Sequence, residues 1–159
     1  MGLGKRAKEN TKFLILPTNK AGPSEVVCGE KMSRFLTLYK VKKFSEAIDL
    51  AIKIQEYQGA GHSLGIHTQN EDRSHEIAMS AKTCRVIVNQ AHCFATGGFF
   101  NNGLPFSLSM GCGSWGGNSI DGNLNWEHFV NKVRVVQTIA ENKPDLEEIF
   151  GDYWGETSQ

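Results

Sequence analysis

A histidine and a cysteine are adjacent in the sequence at His92 and Cys93, just before a pair of glycines. A cysteine thiolate activated by a histidine base is a common arrangement for nucleophilic catalysis. On an extended chain, however, neighbouring side chains point to opposite faces, so these two residues are poorly placed to exchange a proton directly. Two hypotheses stay open. Cys93 is either a nucleophile that takes its base from elsewhere, for example His62 or His128, or a cysteine that packs within a loop.

The other cysteines and histidines lack the spacings that indicate a metal site or a disulfide framework. The chain has four cysteines and five histidines, without a C-x-x-C pair and without two histidines at helical ligand spacing. Cys84 opens a predicted strand and Cys112 lies between glycines, so both are predicted to be structural. The sequence therefore predicts no bound metal and a reducing, cytoplasmic environment.

The segment GCGSWGGNS at 111–119 is the densest part of a glycine-rich region that extends from Gly97 to Gly122. Its composition is similar to that of a phosphate-binding loop, but the Lys-Ser/Thr pair of a P-loop is missing. Glycine allows backbone N–H groups to come close either to a bound anion or to another loop, and composition leaves both possibilities open. A region of this length without helical periodicity is predicted to be a long structured loop.

The elements that position these residues alternate between strands and helices. Helical spacing predicts a helix from Phe44 onward, with Ser45 as its N-cap and Gly59 and Gly61 at its far end. Asn70 is predicted to cap a second helix. Apolar runs predict four strands, of which the second is buried: 11–16, 35–41, 62–68 and 84–89. This order predicts an α/β fold with a parallel or mostly parallel sheet.

The last part of the sequence changes character. Residues 129–139 have extended β character with Lys132 and Arg134 on one side of the pleat. This pattern is typical of an edge strand that is charged for protection or paired with another chain. Acidic and aromatic residues then predict a short helix in the tail. These patterns divide the chain into three parts: 1–127, 128–140 and 141–159.

Composition narrows the classes of function. With 17 basic and 17 acidic residues, the 159-residue chain has no net charge, which argues against general affinity for nucleic acid. No apolar run approaches the roughly 20 residues that a membrane-spanning helix needs. A basic cluster near the start predicts a solvated terminus, with an anion-binding arm as the alternative. The cluster consists of Lys5, Arg6, Lys8 and Lys12.

Four segments that occur in order resemble the downstream half of the CoA-acylating aldehyde dehydrogenases, a branch of the aldehyde dehydrogenase superfamily. They are GEKMSRFLTLYKVKKFSEAIDLA, YQGAGHSLGIHT, RVIVNQAHCFATGG and NNGLPFSLSMGCGSWGGNS. The resemblance runs from about Thr11 to Val136 and is closest to the members that act on sulfoacetaldehyde. The succession of GAGHS, VNQAH and GCGSWGGN is far more specific than any single glycine motif.

The resemblance implies a mechanism and a set of site residues. In this family a cysteine thiolate attacks the aldehyde, hydride passes to NAD or NADP, and the resulting thioester transfers its acyl group to coenzyme A. Glu30, by itself a solvated loop carboxylate, corresponds to the glutamate that hydrogen-bonds the nicotinamide ribose, and Met32 lies beside it. The resemblance places a set of residues in the wall of the substrate pocket. They are Asn89, His92, Cys93, Thr96, Gly97, Gly98, Gly113, Ser114 and Trp115.

The resemblance also predicts what this chain lacks. The dinucleotide-binding domain and the nucleophilic cysteine of the family both precede the matched region, so the chain alone is expected to be inactive. Cys93 falls at a pocket-wall position, which argues against its being the nucleophile. The expected substrate is a small aldehyde, with sulfoacetaldehyde as one candidate, and 129–136 is expected to join the subunits of a homo-oligomer. A non-catalytic assembly module is the alternative to an enzyme fragment.

Overall fold

The computed structural model describes residues 10–156, so Lys5, Arg6 and Lys8 of the basic cluster lie outside the described residues. The chain divides into two compact units, Met1–Phe129 and Val130–Gln159. The first unit contains the residues for which chemical roles were predicted, and the two units are described separately.

The first unit contains two small parallel sheets. The four strands are β1 Leu14–Pro17, β2 Phe35–Leu38, β3 Leu64–Ile66 and β4 Val86–Val88. β1 pairs with β2 so that Leu14 lies opposite Phe35, and β3 pairs with β4 so that Leu64 lies opposite Val86. The α/β class and the parallel pairing agree with the sequence pattern, but the described strands do not form the single sheet that was predicted. The hydrophobic pattern predicts which segments become strands, whereas pairing partners depend on tertiary packing.

The second strand is less buried than its composition predicts. Side chains of β2 alternate between half-buried and exposed, and Leu36 and Leu38 are 55% and 51% exposed. The prediction of a buried strand was therefore wrong for this part of the chain. The reason is that successive side chains point to opposite faces, and only the face of Phe35 and Thr37 is partly covered here.

Two helices flank the second sheet, α1 Phe44–Gln58 and α2 Glu71–Ser80. The predicted cap of α2 is confirmed, since the Asn70 side chain accepts the backbone N–H of Asp72 at 2.9 Å. Gly59 ends α1 with a φ of 112°, as predicted. Ser45 was wrong as the cap of α1, because Lys43 holds that position and Ser45 lies inside the first turn. Among residues 10–156, no helix combines the length and apolar content needed to cross a membrane.

The core of this unit joins the two helices to β3. Ile48 of α1, Ile66 of β3 and Ile77 of α2 are each at least nine-tenths buried, and Ala81 completes the cluster. Each isoleucine contributes about 1.5–3 kcal/mol by leaving water. Val86 and Val88 of β4 pack against the same cluster. This core therefore fixes the turn before β3 and the loop after β4, where the predicted chemical residues lie.

The second unit contains one helix, Leu146–Glu156, and no strand among its described residues. The strand predicted at 129–136 is not formed within the described single chain, in which Phe129 ends a short 3-10 helix and residues 130–145 are neither helical nor strand-paired. Val133 and Val135 are 91% and 85% exposed. A strand needs a hydrogen-bonded neighbour, and the described part of this chain supplies none here.

Candidate functional site

The turn before β3 and a short helix after β4 meet through one hydroxyl group. The helix, α3, spans His92–Ala95. Nδ1 of His62 lies 2.7 Å from the Ser63 hydroxyl oxygen, and the same oxygen lies 2.8 Å from Nε2 of His92. The structure thus brings two histidines, 30 positions apart, into one hydrogen-bonded chain with a serine between them.

The His92 ring takes part in this series of hydrogen bonds and is also closely packed. A Cβ atom on Gly65 would lie only 2.7 Å from Nδ1 of His92, so the ring lies directly against β3. Partial burial of the ring lowers the pKa of His92, and the neighbouring His62 lowers it further. The imidazole is therefore kept neutral near neutral pH.

Cys93 is exposed, and the His92 ring is not its hydrogen-bond partner. The backbone was expected to be extended here, and that was wrong because His92 and Cys93 open a helix. The conclusion that the two do not exchange a proton directly is retained for another reason. One ring nitrogen of His92 bonds Ser63 and the other lies against Gly65. Cys93 instead lies on the wall of a cavity.

A buried arginine holds the turn at 61–63 before β3, called the histidine turn, and the glycine loop at 111–117 together. Arg85 is 6% exposed, and its Nη1 donates to the carbonyl oxygen of His62 at 2.8 Å. Nη2 donates to the carbonyls of Gly111 and Asp121 at 2.9 and 3.3 Å. Nε donates to the amide oxygen of Asn123 at 3.0 Å. Hydrogen bonds of a charged donor in a buried site are strong, so Arg85 fixes both segments.

Asn123 extends this network to the segment that carries the cavity residues. It is 2% exposed, and its Nδ2 donates to the carbonyl oxygens of Thr96 and Pro105 at 2.9 and 2.8 Å. Buried polar groups persist only when they are hydrogen-bonded, and this amide meets that requirement on both sides. Arg85 and Asn123 together therefore tie β4, the end of α3 and the glycine-rich loop to one another.

The glycine loop at 111–117 packs against the histidine turn instead of forming an anion cradle. A Cβ atom on Gly61 would lie 2.2 Å from the carbonyl oxygen of Cys112, so only glycine permits this approach. The N–H groups of Gly111 and Gly113 donate to the carbonyls of Gly122 and Ile120. Because the loop uses these donors internally, the structure favours contact with another loop over phosphate binding.

Two open cavities are lined in part by residues of α3. The first has a volume of about 310 Å³ and is lined by Asn89, Gln90, Ala91, Phe94, Ala95, Phe99 and Asn101. The second has a volume of about 450 Å³ and is lined by Cys93, Phe94, Gly97, Gly98, Phe99, Phe106, Ser107 and Leu108. Asn89 adopts a left-handed backbone with a φ of 53°, which is uncommon outside glycine and occurs often at functional positions.

The predicted pocket residues are divided among three places. Asn89 lines the first cavity, while Cys93, Gly97 and Gly98 line the second. Thr96 is buried behind them, with its hydroxyl donating to the carbonyl oxygen of His92. Three further predicted residues line neither cavity and belong to the glycine loop beside the histidine turn: Gly113, Ser114 and Trp115.

The two predicted cofactor residues lie in the loop before β2. The backbone N–H of Glu30 donates to Oε1 of Gln58 at the C-terminal end of α1, and the Glu30 side chain is exposed. Met32 is 97% exposed. Neither residue lines the two cavities.

Residues 10–156 contain neither the side-chain cluster of a metal site nor a disulfide. No three side chains of the histidine, cysteine or carboxylate types converge there as a metal site would require. All four cysteines are free thiols.

Three residues of the site were missed in the sequence: Ser63, Arg85 and Asn123. Arg85 carried a usable signal, because a single cation in the otherwise apolar run RVIV must find oxygen acceptors once the strand is buried. Ser63 and Asn123 carried no such signal, since both residue types are common in exposed turns.

Comparison with known proteins finds no matching protein-family model. The chain is 45% identical to a sulfoacetaldehyde dehydrogenase (acylating) of Cupriavidus necator, over 89% of this chain and 29% of that protein. It is 40% identical to a succinate-semialdehyde dehydrogenase (acetylating) of Clostridium kluyveri, over 93% of this chain and 33% of that protein. An acetylating aldehyde dehydrogenase of Geobacillus thermoglucosidasius has the same fold, with a TM-score of 0.75 and 30% identity. The match covers 87% of this chain and 30% of that one.

These relatives are longer than the chain, which spans between 29% and 33% of their length. The similarity covers nearly all of this sequence, including the histidine turn, α3 and the glycine loop. The chain is therefore homologous to a portion of the acylating aldehyde dehydrogenases.

Proposed function

We propose that this chain forms the C-terminal part of the catalytic domain of an NAD(P)-dependent, CoA-acylating aldehyde dehydrogenase. One observation carries the proposal: the histidine turn and the glycine loop pack against each other, and Arg85 donates to carbonyls in both. Both segments belong to the regions of similarity to acylating enzymes. A rigid wall of this kind can position a small aldehyde beside groups supplied by the rest of the enzyme.

The substrate is proposed to be a small aldehyde, with sulfoacetaldehyde first among the candidates. The name of the Cupriavidus necator relative and the 45% identity support this choice. The cavity beside Cys93 has about 450 Å³, enough for a small aldehyde and part of a second molecule. Asn89, Gln90 and Asn101 give the neighbouring cavity polar groups that suit an oxygen-rich substrate.

Of the two proposed cofactor residues, Glu30 has a side chain whose chemistry suits a nicotinamide cofactor. The Glu30 carboxylate is exposed, and a carboxylate is a suitable acceptor for the hydroxyl groups of a ribose. NAD or NADP, when bound, supplies hydride acceptance. Glu30 is proposed to orient the ribose, and Met32 to contact it through its exposed side chain.

Coenzyme A finds no comparable fit among the described residues of the site. Its phosphates require cations or available N–H donors. Arg85 uses its guanidinium on oxygen atoms of the chain, and the Gly111 and Gly113 N–H groups donate to carbonyls. The groups that hold coenzyme A are therefore proposed to come from outside this site, and the chain alone is proposed to be inactive.

A chimera tests the proposed function directly. The chain would replace the matched segment of the Cupriavidus necator enzyme, and NADH or NADPH formation would be followed with sulfoacetaldehyde and coenzyme A. We expect the chimera to be active and the isolated chain to match a protein-free control. Glu30→Gln is expected to raise the KM for the cofactor about tenfold, because a charge-assisted hydrogen bond is lost. Glu76→Gln, at an exposed helical position, is the matched control.

A thiol enzyme that uses Cys93 is the second candidate function, because this cysteine is exposed on the wall of a cavity. The chimera separates the two readings. Cys93→Ser is expected to retain activity if the nucleophile comes from the rest of the enzyme. Loss of activity in Cys93→Ser, with normal folding, would favour the second candidate.

The protein is proposed to work in a reducing, cytoplasmic environment.

Residues 129–136 are proposed to join the subunits of a homo-oligomer. Val133, Val135 and Val136 are exposed, and an alternating segment of this kind becomes a strand when another chain supplies hydrogen-bond partners. Light scattering of the chimera and of a Val135→Pro variant tests this point. We expect the proline to reduce the mass because it removes a backbone donor from the pairing edge.

A further inference from the structure

The hydroxyl of Ser63 has a single hydrogen atom, which constrains the two histidines that contact it. Nδ1 of His62 lies 2.7 Å away and Nε2 of His92 lies 2.8 Å away. The hydroxyl can donate to only one of these nitrogens and must accept from the other if both bonds are made. When both imidazoles are neutral, the protonation of one ring nitrogen therefore determines the protonation of the other.

The contact with Gly65 decides the direction in which these two hydrogen bonds are donated. Nδ1 of His92 lies where a Cβ atom on Gly65 would be only 2.7 Å away, so it faces the Cα–H of this glycine. A bare nitrogen accepts a weak contact from C–H, whereas an N–H would bring two hydrogen atoms together without an acceptor. The proton of neutral His92 therefore lies on Nε2, which donates to Ser63. Ser63 then donates to Nδ1 of His62.

We propose that Ser63 and His92 are positioning residues that hold His62 in its Nε2–H tautomer. In this form His62 presents an N–H donor from an exposed ring, on a turn whose backbone carbonyl is held by Arg85. Such a donor fits a substrate oxygen that carries or develops negative charge. This inference deepens the proposed function and rests on it for the identity of the substrate oxygen.

The arrangement differs from one in which a histidine acts as a base. A base would need a bare Nε2 on His62, and the chain of hydrogen bonds places the bare nitrogen at Nδ1, facing Ser63. The packing of His92 against β3 makes this a property of the fold, because the ring cannot move toward Gly65.

Long-range proton–nitrogen NMR correlations on the full chain, labelled with nitrogen-15, test the inference, because they distinguish protonated from bare ring nitrogens. The measurement would be made at about pH 8, above the pKa of an ordinary imidazole. We expect the ratio of Nε2–H to Nδ1–H to be about tenfold higher for His62 than for the exposed His75, because one net hydrogen bond adds that preference. A wild-type His62 ring with Nδ1–H as the main form would overturn the inference.

Three variants interrupt the hydrogen bonds that link His92, Ser63 and His62, each at a different point. Ser63→Ala removes the hydroxyl, His92→Phe removes the ring nitrogen, and Gly65→Ala displaces the His92 ring without altering a polar group. Each is expected to return His62 to a mixture of tautomers, while the exposed His75 keeps its signals as an internal reference. A His62 ring unchanged in every folded variant would equally overturn the inference.

The test does not depend on catalysis. The NMR measurement uses neither aldehyde nor coenzyme A, so an inactive chimera would count against the proposed function and leave the tautomer result standing. Conversely, an active chimera whose His62 carries its proton on Nδ1 would refute the positioning role alone.

Discussion

The Nε–H of Arg85 donates a hydrogen bond of 3.0 Å to the amide oxygen of Asn123, and both side chains are buried. The four acceptors of the guanidinium are neutral oxygen atoms of the chain. A buried charge without a carboxylate partner depends on complete hydrogen bonding. The pair is therefore expected to decide whether β4, α3 and the glycine loop keep their relative positions.

Asn123→Ala is expected to lower the free energy of unfolding by about 3 kcal/mol, because it removes three hydrogen bonds, two of them buried, and leaves their partners unsatisfied. Urea unfolding followed by circular dichroism measures the change. Asn101→Ala is the matched control at an exposed position, with an expected change within about 0.5 kcal/mol. Equal losses in the two variants would contradict the structural role of Asn123.

Arg85→Met should be coupled to Asn123→Ala in a double-mutant cycle. The two side chains share one hydrogen bond, so the double variant should lose about 1–2 kcal/mol less stability than the sum of the single variants. Additive losses would mean that the two residues act independently.

Gly61→Ala is expected to destabilise the chain by more than about 3 kcal/mol. Its φ is 103°, and the added Cβ would meet the backbone carbonyl of Cys112 at 2.2 Å. Gly122→Ala is the control, because nothing lies within 4 Å of its Cβ position. That control should change stability by less than about 1 kcal/mol. Thermal unfolding of the two variants side by side measures the difference.

Cys84 is expected to react with iodoacetamide more slowly than the exposed Cys93. Burial raises the pKa of the Cys84 thiol, Arg85 opposes that rise, and Asp121 and Cys112 add to it. A smaller thiolate fraction slows alkylation. Asp121→Asn should lower the pKa of Cys84 and increase its rate, which mass spectrometry of the two cysteine peptides would detect. An unchanged or slower rate in Asp121→Asn would argue against this electrostatic account.

The stability of the chain is expected to rise with pH where His92 titrates. The lowered pKa means that the folded protein gives up the His92 proton more readily than the unfolded chain does. The unfolded state then binds more protons between the two pKa values, so the free energy of unfolding increases with pH across that interval. Unfolding measured at about pH 5 and about pH 8 in wild type and His92→Gln isolates this contribution. A difference that is equally large in His92→Gln would contradict it.

Local features of the fold could be predicted from the sequence. The helix α2, its Asn70 cap and the glycine that ends α1 depend on residues within one or two turns of each other, so periodicity and residue type are sufficient. The Ser45 cap failed within the same short range, because neighbouring positions compete for the first turn and the extended backbone at Lys43 decided the outcome.

The sequence by itself determined the α/β class, most element types and the family resemblance, because these follow from local patterns and from motifs in a fixed order. Only the tertiary structure decided that the strands form two sheets, that His92 bonds Ser63 29 positions away, and that Arg85 bonds Asn123 38 positions away. The physical reason is that burial and close packing select contacts between segments that no local pattern specifies. The glycine loop shows this directly, since its composition allowed either an anion or another loop, and packing against Gly61 selected the loop.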